Sequence, residues 1–368
     1  MTRLLLVILT LLAVAVPAPG QQLTIPEAGT GRLRAQRVRY DARTQTFHAE
    51  GDVRLSIGDL TVEAPRLTVD QRRRTVQATG GVVVRQPETL LRARELLYEI
   101  TTRRAHVSGD VRLDQEGTTV SAGRMTFQLA GQIVQAYDGV RLAREGTTVT
   151  GEEMTARLRD RLVEVRGSAT LVRPGAPATA TRDRAAQTLA AQDTRITASR
   201  MRFRWDANEA DAEGAVVVTQ PDKTARAARV VYSESRGVLE LAGSVEVEQR
   251  SGEWLVESGV ARKPANPDAA TALAAPVHLS ADRLVVRLGT RDMEAGGSVR
   301  VEQEGRLATG DRAVYTERTQ TIVVSGSVRM READGSWLRA DRVVIAIAEE
   351  TFEATGNVET EFTVTPGK

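Results

Sequence analysis

Apolar and polar residues alternate in short bursts along most of the chain. In the stretch SGDVRLDQEGTTVSAGRMTF (108–127), Val111 and Leu113 share one face, and Met125 and Phe127 share a face after a one-residue slip of phase. Alternation with a period of two is typical of strands that bury one side. A phase slip of this kind indicates a bulge or a corner that turns the strand. Sustained helical spacing is absent from these bursts, so the pattern predicts an all-β chain.

The pattern also repeats itself. The letters GDVRL stand at Gly51–Leu55 and return at Gly109–Leu113, which is two periods of 29 residues. Ten copies of the unit can be aligned, and Asp138 holds the anchor place in the fourth. In the other nine copies the anchor is a glycine, at Gly51, Gly80, Gly109, Gly167, Gly214, Gly243, Gly297, Gly326 and Gly356. Since one such unit cannot bury its apolar face alone, the copies are expected to stack.

The expected stack contains about three short strands per repeat, or roughly thirty in all. Two walls of strands would enclose an apolar seam, as in a solenoid or an extended jelly roll. Two segments rich in Ala and Pro interrupt the period and contain little to bury, so they are interpreted as loop inserts. The predicted organisation is a signal peptide (1–20), repeats 1–5 (21–172), an insert (173–193), repeats 6–7 (194–261), an insert (262–276), repeats 8–10 (277–362) and a tail (363–368).

The first twenty residues have the layout of a secretory signal peptide. Arg3 precedes an apolar run from Leu4 to Val16, and small residues lead to a cleavage site near Gly20. The alternative is a membrane anchor, but the run is shorter than the ~20 residues that a spanning helix needs. The chain has no cysteine, which excludes a lipoprotein anchor and a disulfide framework. The mature protein is therefore expected to be exported.

Composition and motifs favour neither an enzyme nor a nucleic-acid binder. The net charge is +2, and basic and acidic residues alternate without forming a basic patch next to aromatic residues. The sequence lacks a Walker-type phosphate loop, a GxSxG motif and a distinct pair of carboxylates of the glycosidase kind. His48, His106 and His278 are far apart, and solvent-facing positions are the simplest interpretation. No catalytic residue, metal site or cofactor is predicted.

Three positions recur in the repeat. A small residue such as Ala64 is expected where the walls approach each other. Two places later an arginine stands in eight of ten copies, from Arg37 to Arg342, and is interpreted as an outward rung that pairs across strands rather than as a ligand for anions. Three places further comes a bulky residue, which could be plain core or could line a channel. The candidate seam-lining residues are Tyr40, Phe47, Val69, Tyr98, Met125, Phe127, Val134, Met201, Phe203, Tyr232, Leu239, Val286, Tyr315, Ile345 and Phe352.

The motifs A-x-R-[LVM]-x-[YF] and [VA]-x-x-G-x-V-x-[LV] run from Leu33 to about Thr360, and in them the chain resembles the OstA/LptA family. These are periplasmic bridge proteins of lipopolysaccharide transport, and the same module recurs in LptC and at the start of LptD. The chain looks like a double-length member. The resemblance implies an open, twisted β-jelly roll whose interior holds the acyl chains of the lipid, and docking through unpaired end strands.

The resemblance also implies a function and partners. The protein would carry lipopolysaccharide, or a related outer-membrane glycolipid, through the periplasm from the inner to the outer membrane. Its partners would be an inner-membrane Lpt ABC transporter with an LptC-like anchor, an outer-membrane LptD-like translocon, and further copies of itself end to end. Two alternatives remain open: a structural or adhesive β-solenoid without lipid cargo, and a carbohydrate-active parallel β-helix, which would need clustered charges on one face.

Overall fold

The computed structural model describes residues 32–174, 193–250 and 275–362, except 145, 205, 208, 234, 288–289, 291, 317, 320 and 347–350. The expected signal peptide, nearly all of both inserts and the tail lie outside the described residues. The described residues divide into two compact units. The N unit runs up to Leu171 and includes Arg200–Asp206, and the C unit is Val172–Ser199 with the residues from Ala207 onward.

The described residues form strands and no helix, which confirms the all-β prediction. They therefore contain no helical segment that could span a bilayer. The strands up to β13 are β1 (Arg32–Arg34), β2 (Arg37–Asp41), β3 (Thr46–Ile57), β4 (Leu60–Asp70), β5 (Thr75–Gln86), β6 (Thr89–Glu99), β7 (Arg104–Gln115), β8 (Thr118–Gln128), β9 (Ile133–Tyr137), β10 (Val140–Arg144), β11 (Thr147–Gly151), β12 (Glu153–Arg157) and β13 (Leu162–Arg173). The remaining strands are β14 (Thr194–Arg204), β15 (Glu209–Gln220), β16 (Lys223–Ser233), β17 (Val238–Gln249), β18 (Val277–Arg287), β19 (Met293–Gln303), β20 (Arg306–Thr316), β21 (Thr321–Arg331), β22 (Trp337–Ala346), β23 (Thr351–Thr355) and β24 (Glu359–Glu361).

A regular repeat builds two long strands rather than three short ones, so the expected strand count was wrong. β3 has twelve residues and β4 has eleven, and they pair antiparallel from Thr46↔Asp70 to Ile57↔Leu60. The register shifts between Glu50 and Val53, where one extra residue forms a bulge. A bulge bends a strand without ending it. The break in alternation therefore marks a bulge inside one continuous strand and not the end of a strand.

The bend gives each long strand two halves that belong to different walls. In the N unit, wall A contains the halves that end at the two-residue turns 58–59, 87–88 and 116–117. Wall B contains the halves that end at the four-residue turns 42–45, 71–74, 100–103 and 129–132, and at 158–161 between β12 and β13. The shorter strands β9 to β12 are halves of the same kind: β10 and β11 extend wall A, whereas β9 and β12 extend wall B.

The bends are packed around small residues, as the sequence predicts. Val53 pairs with Ala64 and Val111 pairs with Ala122 next to the bend, and all four side chains are buried. Gly310 has the same place in β20, and a Cβ there would lie 2.7 Å from Cγ1 of Val324. Because the two walls come closest at the bend, a larger residue would force them apart.

Arginine rungs run along the outer face, as expected from the recurrent arginine. In the C unit, Arg283 Nε lies 2.7 Å from Glu240 Oε1, and Arg312 Nε lies 2.9 Å from Glu294 Oε1. Hydrogen bonds from these guanidinium groups hold the pKa of Glu240 and the pKa of Glu294 below their usual range. The rungs are exposed, so each contributes at most about 1 kcal/mol. They pair neighbouring strands and leave the inner face apolar.

Candidate functional site

The N unit contains an apolar cavity of 540 Å³ between its two walls. Inner side chains of both walls face it, because the halves before and after the bend present their alternate residues to one interior. Wall A contributes Leu55, Ile57, Leu60, Val62, Val84 and Leu91. Wall B and its turns contribute Val76, Leu96, Tyr98, Ile100, Arg103, Ala105, Val107 and Phe127.

The N-unit cavity is buried near the bend and more exposed toward its open end. Ala105 and Val107 are buried, whereas Tyr98 is half-buried and Ile100, in the turn beyond it, is exposed. Burial raises the pKa of the Tyr98 hydroxyl, while the nearby charge of Arg103 opposes the change. Arg103 is the one charged residue among the lining residues. The arrangement is a slot with an apolar floor and one polar edge.

The C unit contains a second cavity of 260 Å³ around β18 to β22. Its interior is apolar, with Leu284, Val299 and Tyr315 among the lining residues. Charged residues stand only at the strand ends, where Arg306 Nε lies 2.8 Å from Glu332 Oε2. The C-unit cavity therefore has the same plan as the N-unit cavity at half the volume.

Four of the fifteen sequence candidates line one of these two cavities. Tyr98 and Phe127 line the N-unit cavity, and Tyr315 and Ile345 line the C-unit cavity. Six others are almost completely buried in packed core and line neither cavity: Met125, Met201, Phe203, Tyr232, Leu239 and Val286.

The remaining five candidates line neither cavity, although Val69 pairs with Val76 and Val134 pairs with Phe127, which do line the N-unit cavity. Tyr40 is 48% exposed on β2 and its ring centroid lies 4.4 Å from that of Phe47. Phe352 is 61% exposed on β23. Val69 and Val134 are half-buried in wall B. Tyr40 and Phe352 thus stand on strands near the two ends of the described chain, where no further copy of the repeat covers them.

The candidate residues predicted from the sequence include none of the wall-A residues that line the N-unit cavity. All fifteen candidates come from wall-B halves or the equivalent halves of the C unit, because the bulky repeat position falls there. The missing signal was the second burst of alternation after the anchor glycine, as in Val53, Leu55 and Ile57. That burst faces the bulky positions of wall B across the cavity.

Part of the C-unit interior contains buried polar side chains. Gln220 Nε2 donates a hydrogen bond to Thr194 Oγ1 at 3.0 Å, and both residues are buried. Lys223 is 5% exposed, and its Nζ lies 3.0 Å from Asp222 Oδ2. Burial lowers the pKa of Lys223, whereas the Asp222 carboxylate opposes the shift.

The histidines have structural partners. His48 Nδ1 and His106 Nδ1 each lie 3.3 Å from a threonine hydroxyl, of Thr68 and Thr126 respectively. Within the described ranges, no three His, Asp or Glu side chains come together in a group that could hold a metal ion. The chemistry that the described interior supports is burial of apolar groups.

Part of the chain matches the model of a known protein family. Residues 32–182 match the family model described as LptA/(LptD N-terminal domain) LPS transport protein. Among solved structures, LptH from Pseudomonas aeruginosa, the periplasmic LptA homologue of the lipopolysaccharide transport device, is 21% identical over 30% of this chain and 83% of that chain, with a TM-score of 0.29. The WD40 domain of SCAP from fission yeast is 7% identical over 91% of this chain and 89% of that chain, with a TM-score of 0.14.

At these TM-scores neither structure bears on the fold or the function of the chain. No curated protein matches it. The family match covers β1 to β13, which includes both walls and every lining residue of the N-unit cavity. Over residues 32–182, therefore, the chain is similar to the LptA/(LptD N-terminal domain) family of LPS transport proteins, as the sequence motifs predict.

Proposed function

We propose that the protein is a periplasmic bridge that holds the acyl chains of lipopolysaccharide, or of a related outer-membrane glycolipid, and passes the lipid from the inner to the outer membrane. The N-unit cavity is the observation that carries the proposal. It is an apolar slot of 540 Å³ with a single charged lining residue, Arg103. Soluble proteins rarely keep such a slot without an apolar ligand.

The energetics of the N-unit cavity suit an amphiphile in transit. Each methylene that leaves water contributes about 0.8 kcal/mol, so ten buried methylenes contribute about 8 kcal/mol. Repeated small contacts with residues such as Leu91 and Phe127, rather than one strong polar bond, allow a chain to be held and then handed on. The C-unit cavity provides a second apolar surface of the same kind.

The family match supports the proposed surroundings. An exported protein of this family would receive lipid from an inner-membrane Lpt ABC transporter through an LptC-like anchor and deliver it to an LptD-like translocon. The energy for directional movement would come from the transporter. The signal peptide, the repeat boundaries and the two inserts remain predictions from the sequence.

The end strands support docking between like modules. Within the described residues, β2 pairs only with β3 and β23 pairs only with β22, so each leaves one edge unpaired. Val38 and Tyr40 are about half exposed on the first edge, and Phe352 is exposed on the other. Unpaired edges with apolar side chains favour strand addition. We expect Tyr40→Asp to lower the sedimentation coefficient of any self-assembled species, and an unchanged distribution would count against this docking.

In-cell photo-crosslinking tests the transport proposal. A photoreactive residue at Phe127 on wall B or at Leu91 on wall A should yield glycolipid adducts, and one at the exposed Arg112 should not. A second arm uses Phe127→Arg, which should abolish adducts from Leu91 while the β-sheet circular dichroism persists. Adducts from neither wall in a folded, exported protein would favour a structural β-solenoid without cargo, and the closed core around Leu239 would then be typical of the whole interior.

A further inference from the structure

The two lips of the N-unit cavity carry opposite charges. On wall A, the turns 58–59, 87–88 and 116–117 each contain one acidic residue and no basic residue. On wall B, the turns contain one aspartate, Asp160, and seven arginines. These arginines form the arginine lip: Arg43, Arg72, Arg73, Arg74, Arg103, Arg159 and Arg161.

Backbone hydrogen bonds hold the turns of wall B in one line. Ile100 N donates to Arg74 O at 2.9 Å, and Leu129 N donates to Arg103 O at 3.1 Å. The same bond joins the turns 42–45 and 71–74, and the turns 129–132 and 158–161. Each acceptor residue has a positive φ, 54° for Arg74 and 52° for Arg103. The arginine lip is therefore an ordered edge and not a set of independent loops.

The carboxylates next to the arginine lip have partners on their own hairpins: Asp70 Oδ2 lies 3.7 Å from Arg73 Nη1, and Glu99 Oε1 lies 3.7 Å from His106 Nε2. Asp70 accepts a hydrogen bond from Arg73 N at 2.8 Å, and Glu99 accepts one from Thr102 Oγ1 at 2.7 Å. In the part of the N unit that the structure describes, Arg72 and Arg74 form no ion pair. Their guanidinium groups remain available to a ligand at the mouth of the cavity.

We propose that the arginine lip binds the anionic headgroup, a phosphate or carboxylate group, of an amphiphile whose acyl chains lie in the N-unit cavity. The inference rests on the proposed function, in which the N-unit cavity takes acyl chains. Arg103 joins the two parts, because it lines the cavity together with Tyr98 and stands on the lip. Guanidinium groups bind phosphate and carboxylate oxygens through paired hydrogen bonds. Asp59, Glu88 and Glu116 repel an anion from wall A, so the headgroup takes one orientation.

Two dodecyl amphiphiles with equal tails test the proposal in the full-length protein. Calorimetric titration compares n-dodecyl phosphate, which is anionic, with n-dodecyl maltoside, which is neutral, both below their micellar concentrations. The test variant is Arg74→Gln with Arg103→Gln. Glutamine fits those turns, since Gln45 and Gln132 hold the same place with φ values of 56° and 53°. The control variant, Arg34→Gln with Arg66→Gln, removes two exposed arginines that lie on strands and outside the lip.

We expect the test variant to bind dodecyl phosphate roughly fivefold or more weakly, and the control variant to keep its affinity within about twofold. Binding of dodecyl maltoside should be equal in all three proteins, and added salt should reduce the preference for phosphate. Equal binding of dodecyl phosphate by the wild type and the test variant would overturn the inference while leaving the cavity proposal intact. Failure of the cavity proposal would give a different result. If the cavity does not bind acyl chains, Phe127→Arg should leave the affinity for both amphiphiles unchanged.

Discussion

Asp282 lies fifteen residues before Gly297 in the chain. The two residues stand on neighbouring strands and face each other at the bend. A Cβ built on Gly297 would lie 2.8 Å from Asp282 Cβ, and the φ of Gly297 is +74°. The same relationship joins Asp311 to Gly326, where the corresponding distance is 2.7 Å. Glycine is therefore favoured at Gly297 and Gly326 for two reasons, the backbone conformation and the missing side chain.

Alanine at Gly297 should destabilise the fold. We expect a loss of about 1–3 kcal/mol in the free energy of unfolding, from the positive φ and from the displaced carboxylate. The matched control is Gly296→Ala, because a Cβ at Gly296 meets nothing within 4 Å and its φ is not positive. Urea denaturation of both variants gives the comparison. Equal stabilities would show that the bend tolerates a side chain.

Closed core and open cavity should respond differently to truncation. Leu239 is fully buried in the C unit, so Leu239→Ala should cost about 2–4 kcal/mol of stability through the void it leaves. Tyr98 is half-buried at the N-unit cavity, and Tyr98→Ala should cost no more than about 1.5 kcal/mol. Amphiphile binding should show the opposite ranking of the two variants. The affinity should fall for Tyr98→Ala and stay unchanged for Leu239→Ala. Thermal unfolding and titration with dodecyl maltoside measure the two effects.

The outer rungs should make a small, pH-dependent contribution to stability. Arg283 holds the pKa of Glu240 below its ordinary value of about 4.3, so the folded state favours the carboxylate. The contribution is complete above that ordinary value and is lost as the pH falls through the folded-state pKa. Glu240→Gln should therefore lower stability by at most about 1 kcal/mol at pH 7, and the difference should shrink as the pH falls below that ordinary value. A deficit that does not shrink as the pH falls would assign the effect to packing instead.

The ion pair of the buried Lys223 with the half-buried Asp222 should be replaceable. Burial disfavours the ammonium, and stability rises as the pH increases from the lowered pKa of Lys223 toward its ordinary value of about 10.4. Asp222→Asn alone should destabilise the protein, since the ammonium loses its counter-charge. Adding Lys223→Met should restore stability to the wild-type level or above it. Thermal melts at pH 7 rank the three proteins, and a double variant less stable than the single one would contradict the expectation.

The sequence predicted the periodic features of the fold because they depend on local chemistry. The anchor glycine, the small residue at the bend and the outward arginine each follow from a backbone angle, a close approach or solvent exposure, as at Gly297, Ala64 and Arg283. The strand count was wrong because a bulge at Gly51 and Asp52 breaks the alternation in the same way as a turn.

The residues that line the cavities follow less directly from the local pattern, because the lining depends on the distance between walls. Tyr98 and Tyr232 hold the same place in the repeat, yet Tyr98 is half-buried and lines the N-unit cavity, whereas Tyr232 is 4% exposed and lines neither cavity. Nothing in the local pattern around either tyrosine distinguishes them.

The ladder of pairings has a consequence for how such a chain can change in length. β5 pairs with β4 and β6, and β6 pairs with β5 and β7, so the contacts that hold a repeat come from its immediate predecessor and successor. A copy that is duplicated or deleted as a whole leaves every other register intact. Gene duplication can therefore lengthen the protein in steps of one repeat without redesigning an existing interface. Folding can likewise begin at any hairpin and propagate in both directions along the chain.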